Sequence, residues 1–365
     1  MSINPKLKFF KSEQKPYQLL DAEGRWLYPD KKPPLSVAQV KYAYERMIFQ
    51  RTFDEKMLQM QRQGRMLTFA PNLGEECLQV GMALAMNKED WLVPAFRSGL
   101  LMLERGFELK NMMLYWNGNE KGCYVGKEWN SLPVNITIGT QMSHAAGIGW
   151  ALRMDKKNAA VVSFIGDGGT AEGEFYESLN FATLRRSKWV AAINNNGFAI
   201  STRTSLETNV SDLSSKAIAV GAHYIRVDGN DIFASYEASK AALEYARSED
   251  GGGVVLLEFV TYRKGPHTTS DDPSIYLKPE EKVAGEKTDP FIRTEKWLID
   301  QKAWTKEDTQ RTKDEALVKI NEAIQQMEAE LIPDVTEIFD HTYAILPPDL
   351  KRQRDMAVKK FGGKQ

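Results

Sequence analysis

The chain has 365 residues, of which 42% are hydrophobic, and a formal net charge of −1. This composition allows a sizeable α/β core, and the near-neutral charge argues against nucleic acid or an anionic membrane as a partner. The sequence has no apolar run near the roughly 18 residues of a membrane span, no apolar signal-peptide region, and only two cysteines. We therefore expect a cytoplasmic protein without a disulfide framework.

The N-terminal third begins with a polar segment, residues 1–35, which ends in PDKKPP and is expected to lie extended on its own or a neighbouring subunit. From Ser36, a candidate N-cap, apolar residues recur at helical spacing and predict a helix to about Gly64. Further helices are predicted to begin near Gly74, near Ser98 and after ITIGTQ (136–141).

The middle of the chain alternates apolar, β-branched runs with helical segments. This alternation predicts an α/β fold with a parallel sheet covered by helices on both faces. We predict one such domain over residues 36–285 and a helical C-terminal extension over residues 286–365. Strands are predicted at residues 159–165, 189–193, 223–227 and 254–261, with a shorter one near 91, and C-terminal helices at 291–301 and 306–330.

Two of the predicted strands end in oxygen-bearing side chains. The first runs into a Gly-Asp-Gly-Gly turn that contains Asp167, and the second runs into three asparagines that end at Asn196. Parallel strands joined by a helix bring their carboxyl ends to the same sheet edge, where open α/β sheets bind ligands. Gly168 and Gly169, with a helix expected from near Thr170, suit a diphosphate.

A divalent cation would remove the repulsion between Asp167 and such a diphosphate. Mg²⁺ prefers carboxylate, amide, carbonyl and phosphate oxygens. Asp167 and Asn196 offer two of these, and the carbonyl of Phe198 offers a third. Either half of the pattern alone is an ordinary turn or loop, but the two together favour a ligand site.

This pair of motifs is similar to the thiamine-diphosphate fingerprint. The chain resembles the alpha subunit of the thiamine-diphosphate-dependent 2-oxoacid dehydrogenase component, most of all the bacterial members that act on pyruvate. The resemblance runs from Arg62 to Tyr276 without a large gap. It is carried by RQGRMLTFAPNLGEE (62–76), PAFRSG (94–99), ITIGTQ (136–141), NNNGFAIST (194–202), IRVDGND (225–231) and YRKGPHTTSDDPSIY (262–276).

The resemblance implies a thiamin diphosphate-binding fold and further cofactor-binding positions. It implies that Arg97 contacts the diphosphate, that Phe96 packs beside it, and that Asn194 lies near it. Backbone groups of Ile136 and Ile138 are implied to pass under the aminopyrimidine. Phe96 and Phe198 stand where many members carry Tyr, so a hydroxyl contact at Phe96 is lost, whereas the implied metal ligand at Phe198 is a backbone carbonyl.

His267 lies in GPHTTSDDPS, a loop that is too rich in turn formers and polar groups to be core. An imidazole can hydrogen-bond a developing anion, and the resemblance implies that His267 is the catalytic residue beside the thiazolium. Asp271 and Asp272 are expected to hold this loop through hydrogen bonds or through Arg263. Thr268 stands where kinase-regulated members carry Ser, and this departure argues against that regulation.

The resemblance implies an enzyme that decarboxylates pyruvate oxidatively and passes the acetyl group to the lipoyl group of the acyltransferase component, for acetyl-CoA formation. The Glu that activates the aminopyrimidine is implied to come from a beta subunit, in an α2β2 heterotetramer that is inactive without it. Two alternatives stay open. One is an alpha subunit for branched-chain 2-oxoacids or acetoin. The other is a non-catalytic scaffold, against which the intact Asp167, Asn196, Arg97 and His267 argue.

Overall fold

The computed structural model describes residues 14–126, 128–249 and 251–362. Its centre is a parallel sheet formed by the strands β1 (Trp91–Val93), β2 (Val161–Gly166), β3 (Trp189–Asn195), β6 (His223–Asp228) and β7 (Val255–Val260). Their order across the sheet is β1-β2-β3-β7-β6. A small antiparallel pair, β4 (Phe198–Ala199) and β5 (Thr202–Arg203), follows β3.

Helices flank the sheet and form the C-terminal region. The first helix is capped by Ser36, as predicted: the Gln39 backbone N–H donates to the Ser36 hydroxyl at 3.3 Å, and the Gln39 side chain accepts from the Ser36 N–H at 2.9 Å. The α-helices are α1 (Val37–Arg62), α2 (Glu76–Ala85), α3 (Gly99–Glu104), α4 (Leu109–Trp116), α5 (Thr140–Met154), α6 (Gly173–Arg185), α7 (Thr204–Glu207), α8 (Ile232–Arg247), α9 (Pro279–Glu286), α10 (Pro290–Asp300), α11 (Lys306–Glu330), α12 (Glu337–Asp340) and α13 (Pro348–Phe361).

Successive sheet residues point to opposite faces, and each face carries its own core. Phe164 and Phe259 belong to the core that includes side chains of α1, α2, α8 and α11. Trp189 and Ile193 belong to a second core with α5 and α6. The predicted parallel sheet with helices on both faces is therefore confirmed, and so is the helical C-terminal region.

One predicted helix start was wrong. The residues Gly168–Ala171 form a 3-10 helix, and α6 begins only at Gly173. The cause is Thr170, whose backbone N–H and hydroxyl both donate to the Asp167 carbonyl, at 3.0 and 2.7 Å, and so close a tight turn. The helices α4, α7, α8, α9, α12 and α13 were not predicted as separate elements. The last of them, α13, extends to Phe361, and residues 363–365 lie outside the described part.

Residues 14–35 lie on the chain's own surface. Tyr17 pairs with Val227 of the edge strand β6, and the backbone N–H groups of Leu19 and Leu20 donate to the buried Asp231 carboxylate at 2.6 Å. The expectation for residues 1–13 falls outside the described residues. In the described part, no helix combines the length and apolar character that crossing a bilayer requires.

Candidate active site

The carboxyl ends of β2 and β3 lie side by side, as the sequence predicts. Gly166 and Asn194 are partners in the parallel register, so Asp167 and Asn196 leave the sheet at the same edge. A cavity of about 440 Å³ opens there, within the usual range for small-molecule sites. Its wall includes Phe96, Arg97, Ile138, Asp167, Gly168, Gly169, Asn194, Asn196, Phe198 and His267 of the predicted residues, and also Glu207 and Arg263.

Ile136 is the predicted site residue that the cavity wall does not include. Its side chain is largely exposed, whereas Ile138, two residues later, reaches the glycine turn. Gly139 then adopts a φ of +97° and directs the chain into α5. The extended segment before α5 therefore contributes Ile138 to the cavity in the described structure.

The glycine turn has no room for side chains. A Cβ on Gly169 would come within 2.6 Å of Ile165 Cγ1, and a Cβ on Gly168 would collide with Ala199. Around Gly166, by contrast, a Cβ would meet no atom within 4 Å. The turn therefore presents backbone rather than side chains to the cavity, which suits an anion.

Two carboxylates, those of Asp167 and Glu207, face this cavity, and neither forms an ion pair with another of the described residues. Asp167 is only 2% exposed, and its side chain accepts a hydrogen bond from the Thr204 hydroxyl. Burial raises its pKa, although the Thr204 hydrogen bond opposes the shift. Burial and the charge of Asp167 likewise raise the pKa of Glu207, whose buried Oε2 has no hydrogen-bond partner among the described residues. Such a pair fits a bound cation.

A buried glutamate that the sequence analysis missed organises the asparagines. Glu75 is fully buried and accepts hydrogen bonds from the side-chain amides of Asn194 and Asn196, the latter at 2.7 Å. Arg97 Nε lies 3.7 Å from the same carboxylate. Burial raises the pKa of Glu75, and the charge of Arg97 opposes this. The sequence pattern that could have identified Glu75 is a pair of adjacent acidic residues directly before an apolar helix.

The asparagine amides are oriented by these contacts. Because the Asn196 amide nitrogen donates to Glu75, its Oδ1 points the other way and accepts from the Phe198 N–H at 3.2 Å. Asn194 Oδ1 accepts from the Thr261 hydroxyl at 2.8 Å. Among the described residues, no group of three or more His, Cys, Asp or Glu side chains could hold a metal ion. A cation at this edge would therefore need amide, carbonyl and ligand oxygens besides Asp167.

Arg97 is buried and ties two segments together, so it is not a solvated surface arginine. Its Nη1 donates to the Pro71 carbonyl, and its Nη2 donates to the His267 carbonyl at 2.7 Å. The same Nη2 lies 3.3 Å from His267 Nδ1. Since a guanidinium can only donate, Nδ1 must accept, and the proton of a neutral His267 then sits on Nε2.

The His267 imidazole is held neutral. Burial, together with the charges of Arg97 and Arg263, lowers its pKa to about 4. The ring also packs against Phe96, with 5.7 Å between the ring centroids. His267 therefore offers an N–H donor, rather than a cation, on the cavity wall near pH 7.

The loop that carries His267 is fixed by Asp271, as expected. The Asp271 carboxylate accepts from the His267 backbone N–H at 2.7 Å and from the Tyr276 hydroxyl at 2.6 Å. Arg263 donates to that hydroxyl at 2.8 Å, so it helps to hold the His267 loop only indirectly. Asp272 accepts from the Ser274 N–H at 3.0 Å and caps the next turn. These bonds confirm that the loop is held by its own aspartates.

We expect Glu75→Gln to destabilise the fold by about 1–3 kcal/mol, the cost of an unsatisfied buried polar group. The new amide nitrogen would face the Asn194 and Asn196 amides, which are themselves donors. Urea unfolding followed by circular dichroism measures the change. Glu337→Gln, at a partly exposed ion pair with Lys121, is the control and should change stability by less than about 1 kcal/mol. Equal effects would show that Glu75 does not organise this edge.

Comparison with known proteins finds relatives along almost the whole chain. The family profile described as "Dehydrogenase E1 component" matches residues 44–336. A Mycoplasma genitalium protein named "Pyruvate dehydrogenase E1 component subunit alpha" is 51% identical over 349 residues, which cover 94% of this chain and 96% of the relative. Proteins of the same name from Acholeplasma laidlawii and Staphylococcus aureus are 44% and 35% identical over 94% of this chain, covering 99% and 92% of their own lengths.

Proposed function

Because the chain belongs to the dehydrogenase E1 component family, we propose that it is the alpha subunit of a pyruvate dehydrogenase component. The proposed reaction is the oxidative decarboxylation of pyruvate, with transfer of the acetyl group to a lipoyl group of the acyltransferase. The observation that carries the proposal is the cavity where Asp167, Asn196 and His267 meet beside a glycine turn. Two free cysteines, Cys77 and Cys123, agree with a reducing compartment and support a cytoplasmic location.

The cavity residues fit thiamine diphosphate with Mg²⁺. Asp167, Asn196 Oδ1 and the Phe198 carbonyl would hold the cation, and two carboxyl groups that form no ion pair among the described residues, with the buried Glu207 Oε2 lacking a hydrogen-bond partner there, support this assignment. The backbone of Gly168 and Gly169 would take the diphosphate. When bound, thiamine diphosphate supplies a nucleophilic carbon and an electron sink.

The other predicted residues take supporting roles in this proposal. Arg97 contributes positive charge near the diphosphate while fixing the His267 loop. Phe96 packs against the His267 ring, and the backbone of residues 136–138 would lie near the aminopyrimidine. Asn194, whose side chain is committed to Glu75 and Thr261, shapes the wall rather than contacting the cation. His267 donates its Nε2 proton toward charge that develops on the substrate.

The proposal requires a beta subunit, with which the chain forms an α2β2 heterotetramer that serves the lipoyl acyltransferase. The parallel sheet that the structure describes provides one cofactor-binding edge. Leu206 and Ile275 are 78% and 83% exposed and lie next to Glu207 and in the His267 loop region. Exposed apolar side chains on segments close in sequence to residues of the cavity wall support a protein partner in this proposal.

The test is reconstitution with the beta subunit encoded by the same genome. We expect the complex to show at least a tenfold higher kcat/KM for pyruvate than for 2-oxoisovalerate or acetoin, with a requirement for thiamine diphosphate and Mg²⁺. The isolated chain, shown by mass spectrometry to be free of beta subunit, should give no turnover above background. A preference for 2-oxoisovalerate or acetoin would replace the pyruvate assignment, and turnover by the isolated chain would contradict the shared site.

A further inference from the structure

A lysine ammonium is buried directly behind the glycine turn. Lys216 belongs to the 3-10 helix Leu213–Val220 and is 7% exposed. Its Nζ donates to the Thr170 carbonyl and to the Thr170 hydroxyl oxygen, both at 2.9 Å. Among the described residues it forms no ion pair, and it lies 5.8 and 5.3 Å from the ring centroids of Phe175 and Tyr176.

A buried ammonium whose partners are neutral is costly to keep. Its desolvation is offset by two hydrogen bonds, by ring contacts and by attraction to the Glu207 carboxylate, with which it forms no ion pair, and a hydrophobic residue of similar volume at such a place is often neutral or stabilising. The fold of the cofactor-free chain therefore gives no reason for Lys216. A reason must come from what its two hydrogen bonds position.

Those hydrogen bonds continue to Asp167. The Thr170 hydroxyl uses its one proton to donate to the Asp167 carbonyl at 2.7 Å, so its oxygen is free to accept from Lys216. The Thr170 backbone N–H donates to the same carbonyl at 3.0 Å. From the cavity side, the Thr204 hydroxyl donates to the Asp167 carboxylate. Asp167 is thus fixed at its backbone through Thr170 and at its side chain through Thr204.

The charge of Lys216 also acts on the second carboxylate of the cavity. It opposes the rise that burial and Asp167 cause in the pKa of Glu207, and so favours the ionised form of that carboxyl group. A cation placed behind the turn is in addition favourable for any anion in front of it. Both effects favour binding of a cation and a diphosphate at this edge, and so do the hydrogen bonds that fix Asp167 through Thr170.

We propose that Lys216 is a positioning residue for the cation and diphosphate site, because its ammonium holds the turn Gly168–Ala171 and, through Thr170, fixes Asp167. This inference rests on the proposed function, since it requires that this edge of the sheet binds a metal diphosphate. If Lys216 only filled space between the 3-10 helix and α6, its loss would lower stability and leave the chemistry of the edge intact. The two roles therefore predict different combinations of stability and affinity.

The experiment uses the reconstituted complex and measures two quantities without substrate. Calorimetry gives the thiamine diphosphate affinity over a series of Mg²⁺ concentrations, and differential scanning fluorimetry gives the cofactor-free Tm. For Lys216→Met we expect about tenfold weaker binding, a higher half-saturating Mg²⁺ concentration, and an unchanged or raised Tm. Lys216→Arg, which keeps the charge and the donors, should recover most of the affinity.

Lys188→Met is the matched control for losing a buried ammonium. Lys188 is fully buried before β3, donates to the Lys157 carbonyl at 2.6 Å and pairs with Glu249, far along the strand from the cavity end. Its replacement should leave the affinity unchanged. Thr170→Val removes the two hydrogen bonds of the Thr170 hydroxyl, keeps the backbone ones and the Lys216 charge, and should also weaken binding, whereas Thr170→Ser should not. The two Thr170 variants still test the proposal if Lys216→Met does not fold.

The outcomes separate this inference from the proposed function. A parent complex that does not bind thiamine diphosphate with Mg²⁺ would contradict the proposed function itself. Normal binding by the parent and by the Lys216→Met or Thr170→Val variants would overturn the positioning role alone. A parallel loss of affinity and Tm in Lys216→Met, without recovery in Lys216→Arg, would also overturn it, because it would mark Lys216 as a packing residue.

Discussion

Asp167→Asn in the reconstituted complex is expected to weaken Mg²⁺-dependent binding of thiamine diphosphate by at least about 100-fold, which corresponds to ~2.7 kcal/mol. The substitution keeps the shape of the side chain and an oxygen that can accept from Thr204. It removes the negative charge that, in our proposal, a cation must bridge to the diphosphate. Calorimetry at neutral pH over a range of Mg²⁺ concentrations measures the loss.

The same substitution should raise the cofactor-free Tm. Because burial raises the pKa of Asp167 in the folded chain, the ionised carboxylate destabilises the empty fold at neutral pH. This cost is complete above the folded pKa, decreases as the pH falls below it, and disappears below the ordinary pKa of 3.8. Asp167→Asn removes the charge at every pH, so the stability gain should be seen at pH 7 and vanish in acid.

Asp231→Asn is the control for this prediction. Asp231 is also fully buried, but it accepts from Leu19 and Leu20 and caps α8, away from the cavity wall. Its replacement should change stability and leave cofactor affinity within about twofold of the parent. Unchanged affinity in Asp167→Asn would remove Asp167 from the metal site.

The meeting of the site residues at one edge of the sheet could be predicted from the sequence, because short-range sequence patterns determine it. Two apolar strands, each followed by a polar residue, were enough to bring Asp167 and Asn196 together, and the register of Gly166 with Asn194 agrees. The turn between β2 and α6 was predicted less well. Its 3-10 form depends on the Thr170 hydroxyl, whose local hydrogen bond competes with helix formation, and propensity alone does not reveal that outcome.

The residues that the sequence analysis missed act across long stretches of chain. Glu75 lies just before α2 and accepts from Asn196, and Lys216 donates to Thr170 from a 3-10 helix that follows three further strands. Glu207 and Thr204 belong to the one-turn helix α7, which is too short to carry a periodic signal. For Lys216, Glu207 and Thr204, nothing in the sequence distinguishes these side chains from solvated surface residues. Their roles come from the packing of the tertiary fold.

His267→Ala is expected to lower turnover by about 10²–10⁴-fold, the usual contribution of a positioned proton donor or acceptor, with cofactor affinity nearly unchanged. The reason is geometric: Arg97 occupies Nδ1, which leaves the Nε2 proton as the donor of a neutral ring on the cavity wall. Assays with an artificial electron acceptor and with the lipoyl domain separate decarboxylation from acetyl transfer. His223→Ala, at an exposed position on the edge strand, should have little effect in either assay.

The pH dependence gives a second measurement on His267. Its pKa of about 4 lies below the ordinary value of 6.5, so the ring should stay neutral between pH 5 and 8. The pH profile of activity should then have no inflection near pH 6.5 that is present in the parent and absent in His267→Ala. The lowered pKa also means that, as the pH falls, the His267 imidazole is protonated at a higher pH in the unfolded chain than in the folded chain. The stability that neutral His267 contributes is therefore complete above pH 6.5 and is lost as the pH falls toward 4. Full activity of His267→Ala in both assays would make His267 an ordinary loop residue, and an inflection near pH 6.5 that depends on His267 would contradict the neutral ring.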